Sequence, residues 1–148
     1  MKIAILLEQL GSRLGLDGLR FTDEGLCRLV FDSNLVVDLE RDEERGVYLY
    51  AAVCPLPIEK REQVYETLLI ANMVGTTGSA SFAIDMVAGE VLLRDYYPVH
   101  DADVLRFVEA LEAFLNFLEL WKGKLETLLA CPAQQETCPT AHASVMRV

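Results

Sequence analysis

The sequence predicts an α+β fold with a mainly antiparallel, twisted sheet packed by helices, in the order α-β-β-β-α-β-β-α. Three observations predict it. Apolar and polar residues alternate along short runs that fall into two groups, and polar or glycine-bearing turns of hairpin length separate the runs within each group. Single stretches of helical periodicity precede, divide and follow these groups, unlike the strand-helix alternation of a parallel sheet. The chain has 148 residues, 52% of them hydrophobic. At that length one domain buries about 70% of the surface its unfolded chain would expose, so a core forms without disulfide or metal staples.

Taken in order, Ile3, Leu6, Leu7, Leu10 and Leu14 recur at helical spacing, and Gly11 with Gly15 weakens and then ends that first helix. Three β-type runs follow, Leu26 to Phe31, Leu35 to Glu40 and Val47 to Cys54, divided by Asp32-Ser33-Asn34 and by Arg41 to Gly46. In the second run Leu35, Val37 and Leu39 face one way and Asp38 and Glu40 the other, the pattern of a half-buried antiparallel strand. Pro55-Leu56-Pro57 stops the third strand, because proline cannot donate to the ladder. Ile58 to Met73 then reads as a second helix, ended at Gly75-Thr76-Thr77-Gly78. Ala80, Phe82, Ile84 and Met86 alternate with Ser81, Ala83 and Asp85, and a turn at Ala88-Gly89 leads into Val91 to Val99. Asp101 is placed to cap a long helix from Ala102 to Leu129. Residues 1–130 are expected to form a single domain, and 131–148, with two prolines and little apolar content, a flexible tail.

Composition narrows the function. A formal net charge of -10 repels phosphate backbones and anionic headgroups, so neither nucleic acid nor membrane is expected as a partner. The apolar run Ile3 to Leu7 is too short for a signal-peptide core, and no stretch reaches transmembrane length, which places the chain in the cytoplasm. Cys27, Cys54, Cys131 and Cys138 have no CxxC spacing and are expected to remain thiols there. The Gly75 to Ser79 loop runs from helix to strand and has no lysine, the reverse of a phosphate-binding loop. His100 and His142 have no ready zinc or nucleophile partners, and no carboxylate pair has catalytic spacing. The chain is therefore not expected to be an enzyme, and it needs no cofactor or metal.

The helices carry more apolar surface than one domain can hide. In the second, Val64, Leu68 and Ala71 line one side, yet Leu69, Ile70 and Met73 point well away from them. In the long helix a broad stripe comprises Val104, Phe107, Val108, Leu111, Phe114, Leu115, Leu118, Trp121 and Leu125, while Ala113, Phe117 and Leu120 project roughly opposite it. Two such helices in a small domain call for a partner, since open patches of this size invite aggregation.

The Leu68-Leu69-Ile70-Ala71-Asn72 helix end, the glycine turn after it and the Phe82-Ala83-Ile84-Asp85 strand are followed by a strand ending Tyr97-Pro98-Val99 and by Trp121 and Leu125 on the long helix. As an ordered set on an acidic chain these resemble the class I type III secretion chaperones, the group typified by the Tir chaperone. The resemblance implies a homodimer formed largely through the second helix and adjoining strand, with Leu69, Ile70 and Met73 at the contact. It further implies binding, without ATP, of the extended N-terminal segment of a secreted effector, whose side chains enter apolar grooves near Leu6, Leu10 and Val30. Some relatives regulate secretion genes, so a chaperone-like regulator that sequesters an anti-activator is an alternative, and a small-ligand-binding α+β domain is another.

Overall fold

The computed structural model describes residues 2–32, 34–43, 45–74, 79–99 and 103–131. Its elements are α1 (Lys2–Leu14), β1 (Leu26–Phe31), β2 (Leu35–Asp42), β3 (Gly46–Pro55), α2 (Arg61–Val74), β4 (Ser81–Asp85), β5 (Glu90–Pro98) and α3 (Val104–Ala130). The order and class are those the alternation and periodicity predict. The strands form one sheet in the order β1-β2-β3-β5-β4, with every neighbouring pair antiparallel.

One face of the sheet carries the core. Cys27 and Leu29, Val37 and Leu39, Leu49 and Ala51, and Val91 and Leu93 are buried there, as period-two alternation requires. α3 lies across β3 and β5 and also packs on α1, while α2 sits against β4. Most of the stripe expected on α3 is buried: Phe107, Leu111, Phe114, Leu118, Trp121 and Leu125 join Ile3, Leu6, Leu7 and Leu10 of α1 in a single cluster, and Val104, Val108 and Leu115 pack half-buried at its margin. No helix among the described residues is long and apolar enough to cross a membrane.

The first helix ends at Gly15 as expected, and two other local expectations change. α1 runs through Gly11 and ends in a Schellman turn, with Gly15 at φ 69 and the Leu16 N–H donating to the Gly11 carbonyl at 2.8 Å. Gly11 is needed for close approach, because a Cβ there would meet the Leu16 carbonyl oxygen at 2.7 Å and Leu19 Cβ at 2.8 Å. Gly11→Ala is therefore expected to cost about 1–3 kcal/mol by overpacking. A lowered urea midpoint with unchanged slope would register it, whereas an unchanged midpoint would mean the returning chain shifts freely.

α2 starts at Arg61 rather than Ile58, because Lys60 takes a left-handed φ of 55 and turns its side chain onto the end of α3. Its Nζ donates to the Leu128 carbonyl at 2.8 Å and to that of Cys131, supplying donors and positive charge where a helix leaves carbonyls unpaired. α3 itself is capped by Asp103, whose carboxylate accepts from the Leu105 N–H at 3.0 Å. Asp101 lies outside the described residues, as do the Gly75 to Gly78 stop, both histidines and the tail from 132.

Candidate interaction surfaces

The two ends of the sheet differ, and hydrogen-bond parity shows how. In an antiparallel pair, alternate residues exchange bonds with the neighbouring strand while those between turn their N–H and C=O the other way. The Arg41 N–H donates to the Gly25 carbonyl, so Cys27, Leu29 and Phe31 bond to β2, and Leu26, Arg28 and Val30 turn their main chain outward. Thr22 already occupies Leu26: its hydroxyl accepts from the Leu26 N–H at 3.2 Å, and its own N–H donates to the Leu26 carbonyl at 2.8 Å. Arg28 and Val30 thus form the open part of the β1 edge among the described residues.

At the opposite end, β4 turns the main chain of Phe82 and Ile84 outward, and α2 closes half of it. The Asn72 carboxamide accepts from the Phe82 N–H at 2.8 Å and donates to the Phe82 carbonyl at 3.2 Å, as a paired strand residue would. Asn72→Ala strands both groups and is expected to cost about 1–3 kcal/mol, read as a lower urea midpoint. Asn72→Asp keeps the acceptor and loses the donor, so it should fall in the same direction.

Where α2 meets β4, apolar residues gather on the outside. Val64, Leu68 and Ala71 are buried against the protomer, and Leu69, Ile70 and Met73 are 67%, 51% and 83% exposed. Ile84 and the turn residues Met86 and Val87 extend this apolar strip along β4. Met86 does not continue the strand as its alternation suggested, because the Asp85 carboxylate gathers the Val87 and Ala88 N–H groups at 2.9 Å each and starts the turn. That ordered turn holds its apolar side chains in solvent. The signal was present in the sequence, since Met86-Val87 is an unusual pair for a hairpin tip.

Around the open edge, Val30 is 59% exposed, and Leu26 on the same strand and Val36 opposite it are also exposed. Arg28, between them, pairs with Asp38 of β2 through two hydrogen bonds of 2.6 and 2.8 Å. Leu26 went unnoticed as a surface residue, although apolar residues at both parities of β1 were the clue. Leu6 and Leu10 require a correction. They are 1% and 0% exposed, so they belong to the core and have no area to offer another chain. An apolar stripe on a surface helix is the face that packs, and the apolar residues of α1 and its turn that do reach solvent are Ile5, Leu14 and Leu16.

The second patch expected on α3 is also smaller. Phe117 is half-buried, its ring 6.0 Å from those of Phe82 and Trp121, which leaves Ala113 and Leu120 outside. On the sheet face away from the core, Tyr48, Tyr50 and Tyr96 cluster, with ring centroids 4.6 Å apart for Tyr48 and Tyr96, and the Tyr96 hydroxyl donates to Asp42. Neither arrangement suits catalysis. Burial raises the pKa of the Cys27 and Cys54 thiols, which keeps them protonated and inert. No group of metal-ligating side chains gathers among the described residues.

The sequence model of the Tir chaperone protein (CesT) family matches residues 5–122. No curated protein sequence matches the chain. Among solved structures, a chain of the ExsC–ExsE complex superposes with a TM-score of 0.73 at 25% identity, covering 89% of this chain and 96% of its own. A chain of the HopA1–SchA chaperone–effector complex gives 0.71 at 17% identity, with 82% and 94% covered. The complex of the Yersinia pestis type III secretion chaperone SycH with a fragment of YscM2 gives 0.63 at 20% identity, with 80% and 98% covered. The latter two likenesses concern the fold.

Proposed function

The chain belongs to the Tir chaperone protein (CesT) family, and from that premise we propose that it is a type III secretion chaperone acting as a homodimer. It holds an extended N-terminal segment of a secreted effector, without ATP and without chemistry, and keeps that segment soluble and ready for export. One observation carries the reading: two unpartnered surfaces lie at opposite ends of the strand order, an apolar strip on α2 and β4 and an open strand edge at β1. The first suits a second copy, because an apolar patch that meets its own image about a two-fold axis is self-complementary. The second suits an extended chain, which adds main-chain hydrogen bonds at Arg28 and Val30 while its side chains lie on the sheet face that exposes Val30 and Val36. Being far apart, the two contacts do not compete.

The net charge of -10 adds a long-range preference for basic client segments and keeps the complex soluble. Coexpression with the products of the adjacent genes tests the proposal. The expected result is a dimer that copurifies with an exported protein and shields a stretch near its N-terminus from limited proteolysis. A stable monomer that retains none of these products would overturn it.

A further inference from the structure

The β1 edge also has a chemical preference. Arg28 stands on the outer sheet face directly opposite Asp38, flanked on its own strand by Leu26 and Val30. Its Nε donates to Asp38 Oδ1 and its Nη2 to Oδ2, a side-on pairing toward β2. A guanidinium has five N–H donors in one plane, so this pairing leaves the Nη1 amino group on the side away from Asp38. β1 is the outermost strand, and that side is the open edge. The arginine side chain is 67% exposed, and no other described residue bonds to it. A strand added to the open part of β1 would set two alternate side chains beside Arg28 and Val30, because cross-strand neighbours share a face, whereas the position beside Leu26 is held by Thr22.

Resting on the reading that this edge receives the client, we propose that it selects strands bearing a carboxylate two positions from an apolar residue. The carboxylate takes the unused Arg28 donors, and the apolar residue covers Val30. This local demand for one acidic residue is compatible with an otherwise basic segment, since the whole-chain field acts on total charge while Arg28 acts at a single register position. The bidentate Asp38 contact holds the guanidinium in its plane, so little side-chain entropy is lost when the third group arrives.

The test uses two labelled probe peptides, Lys-Val-Thr-Glu-Thr-Val-Lys and the same peptide with lysine in place of glutamate, in anisotropy titrations at low salt. The ratio of glutamate-peptide to lysine-peptide affinity should be at least about fivefold higher for the intact protein than for the charge-swapped protein, Arg28→Asp with Asp38→Arg, the scale of an exposed charge contact. The swap keeps the ion pair and the net charge, so any general attraction for the more basic peptide is common to both proteins. A ratio of the two affinities that the swap leaves unchanged overturns the selectivity and leaves edge binding in place. If neither peptide binds, edge binding itself fails and the selectivity with it.

Discussion

Leu69→Asp is expected to turn the proposed homodimer into a monomer, with the mass from light scattering falling by half at micromolar concentration. Leu69 projects from α2 into solvent and takes no part in the core, so the variant protomer should keep its circular dichroism and melting temperature. In a two-fold interface every substitution occurs twice. Burying an unpaired polar group costs about 1–3 kcal/mol, more when it is charged, and two copies weaken association by roughly a thousandfold. Ile70→Asp should behave alike, being on the same exposed side. A Leu69→Asp protein that still runs as a dimer would place the contact away from α2, with Ile84, Met86 and Val87 the next residues to change.

Val30→Pro should abolish client copurification while leaving the domain folded. Proline lacks an N–H, which matters only where that N–H has a partner, and the Val30 N–H points away from β2. The ladder therefore loses nothing, and an incoming strand loses a donor and meets the ring. Leu29→Pro is the internal contrast. Its N–H belongs to the bond exchange with Val37, so the same substitution one residue earlier removes a ladder bond and puts proline into a buried position. We expect Val30→Pro to melt close to the parent with client recovery down at least about tenfold, a loss of some 1.4 kcal/mol. Leu29→Pro should be insoluble. If Val30→Pro retains the client, binding does not use the β1 edge.

The strands and helices were legible because their signals are local. Leu35, Val37 and Leu39 alternate with Val36, Asp38 and Glu40 whatever they pair with, and the six buried residues of α3 repeat at helical spacing. Leu69, Ile70 and Met73 were legible as surface for the same reason, since the period that buries Val64 and Leu68 turns them outward. Other features depend on which segments meet. Leu6 and Leu10 look like any apolar stripe, and only the packing of α1 on α3 shows that the stripe is used up inside the protomer. Asn72 read as the end of a helix motif, and its role needed Phe82 beside it. Whether an edge is open depends on strand order, and the order β3-β5-β4 makes β1 one end of the sheet and β4 the other.

Asn72 has a consequence beyond stability. A sheet with two free edges can recruit its own kind at each end and grow into a ribbon without limit, as aggregating strands do. Here the amide has already taken the place of a neighbouring strand at Phe82, leaving a single outward residue, Ile84, on that side. One residue is too short a template for pairing. Growth by edges is therefore possible only from β1, and two β1 edges that met each other would stop at a pair. The molecule can keep one strand-hungry margin for a guest because its other margin is already closed by its own side chain.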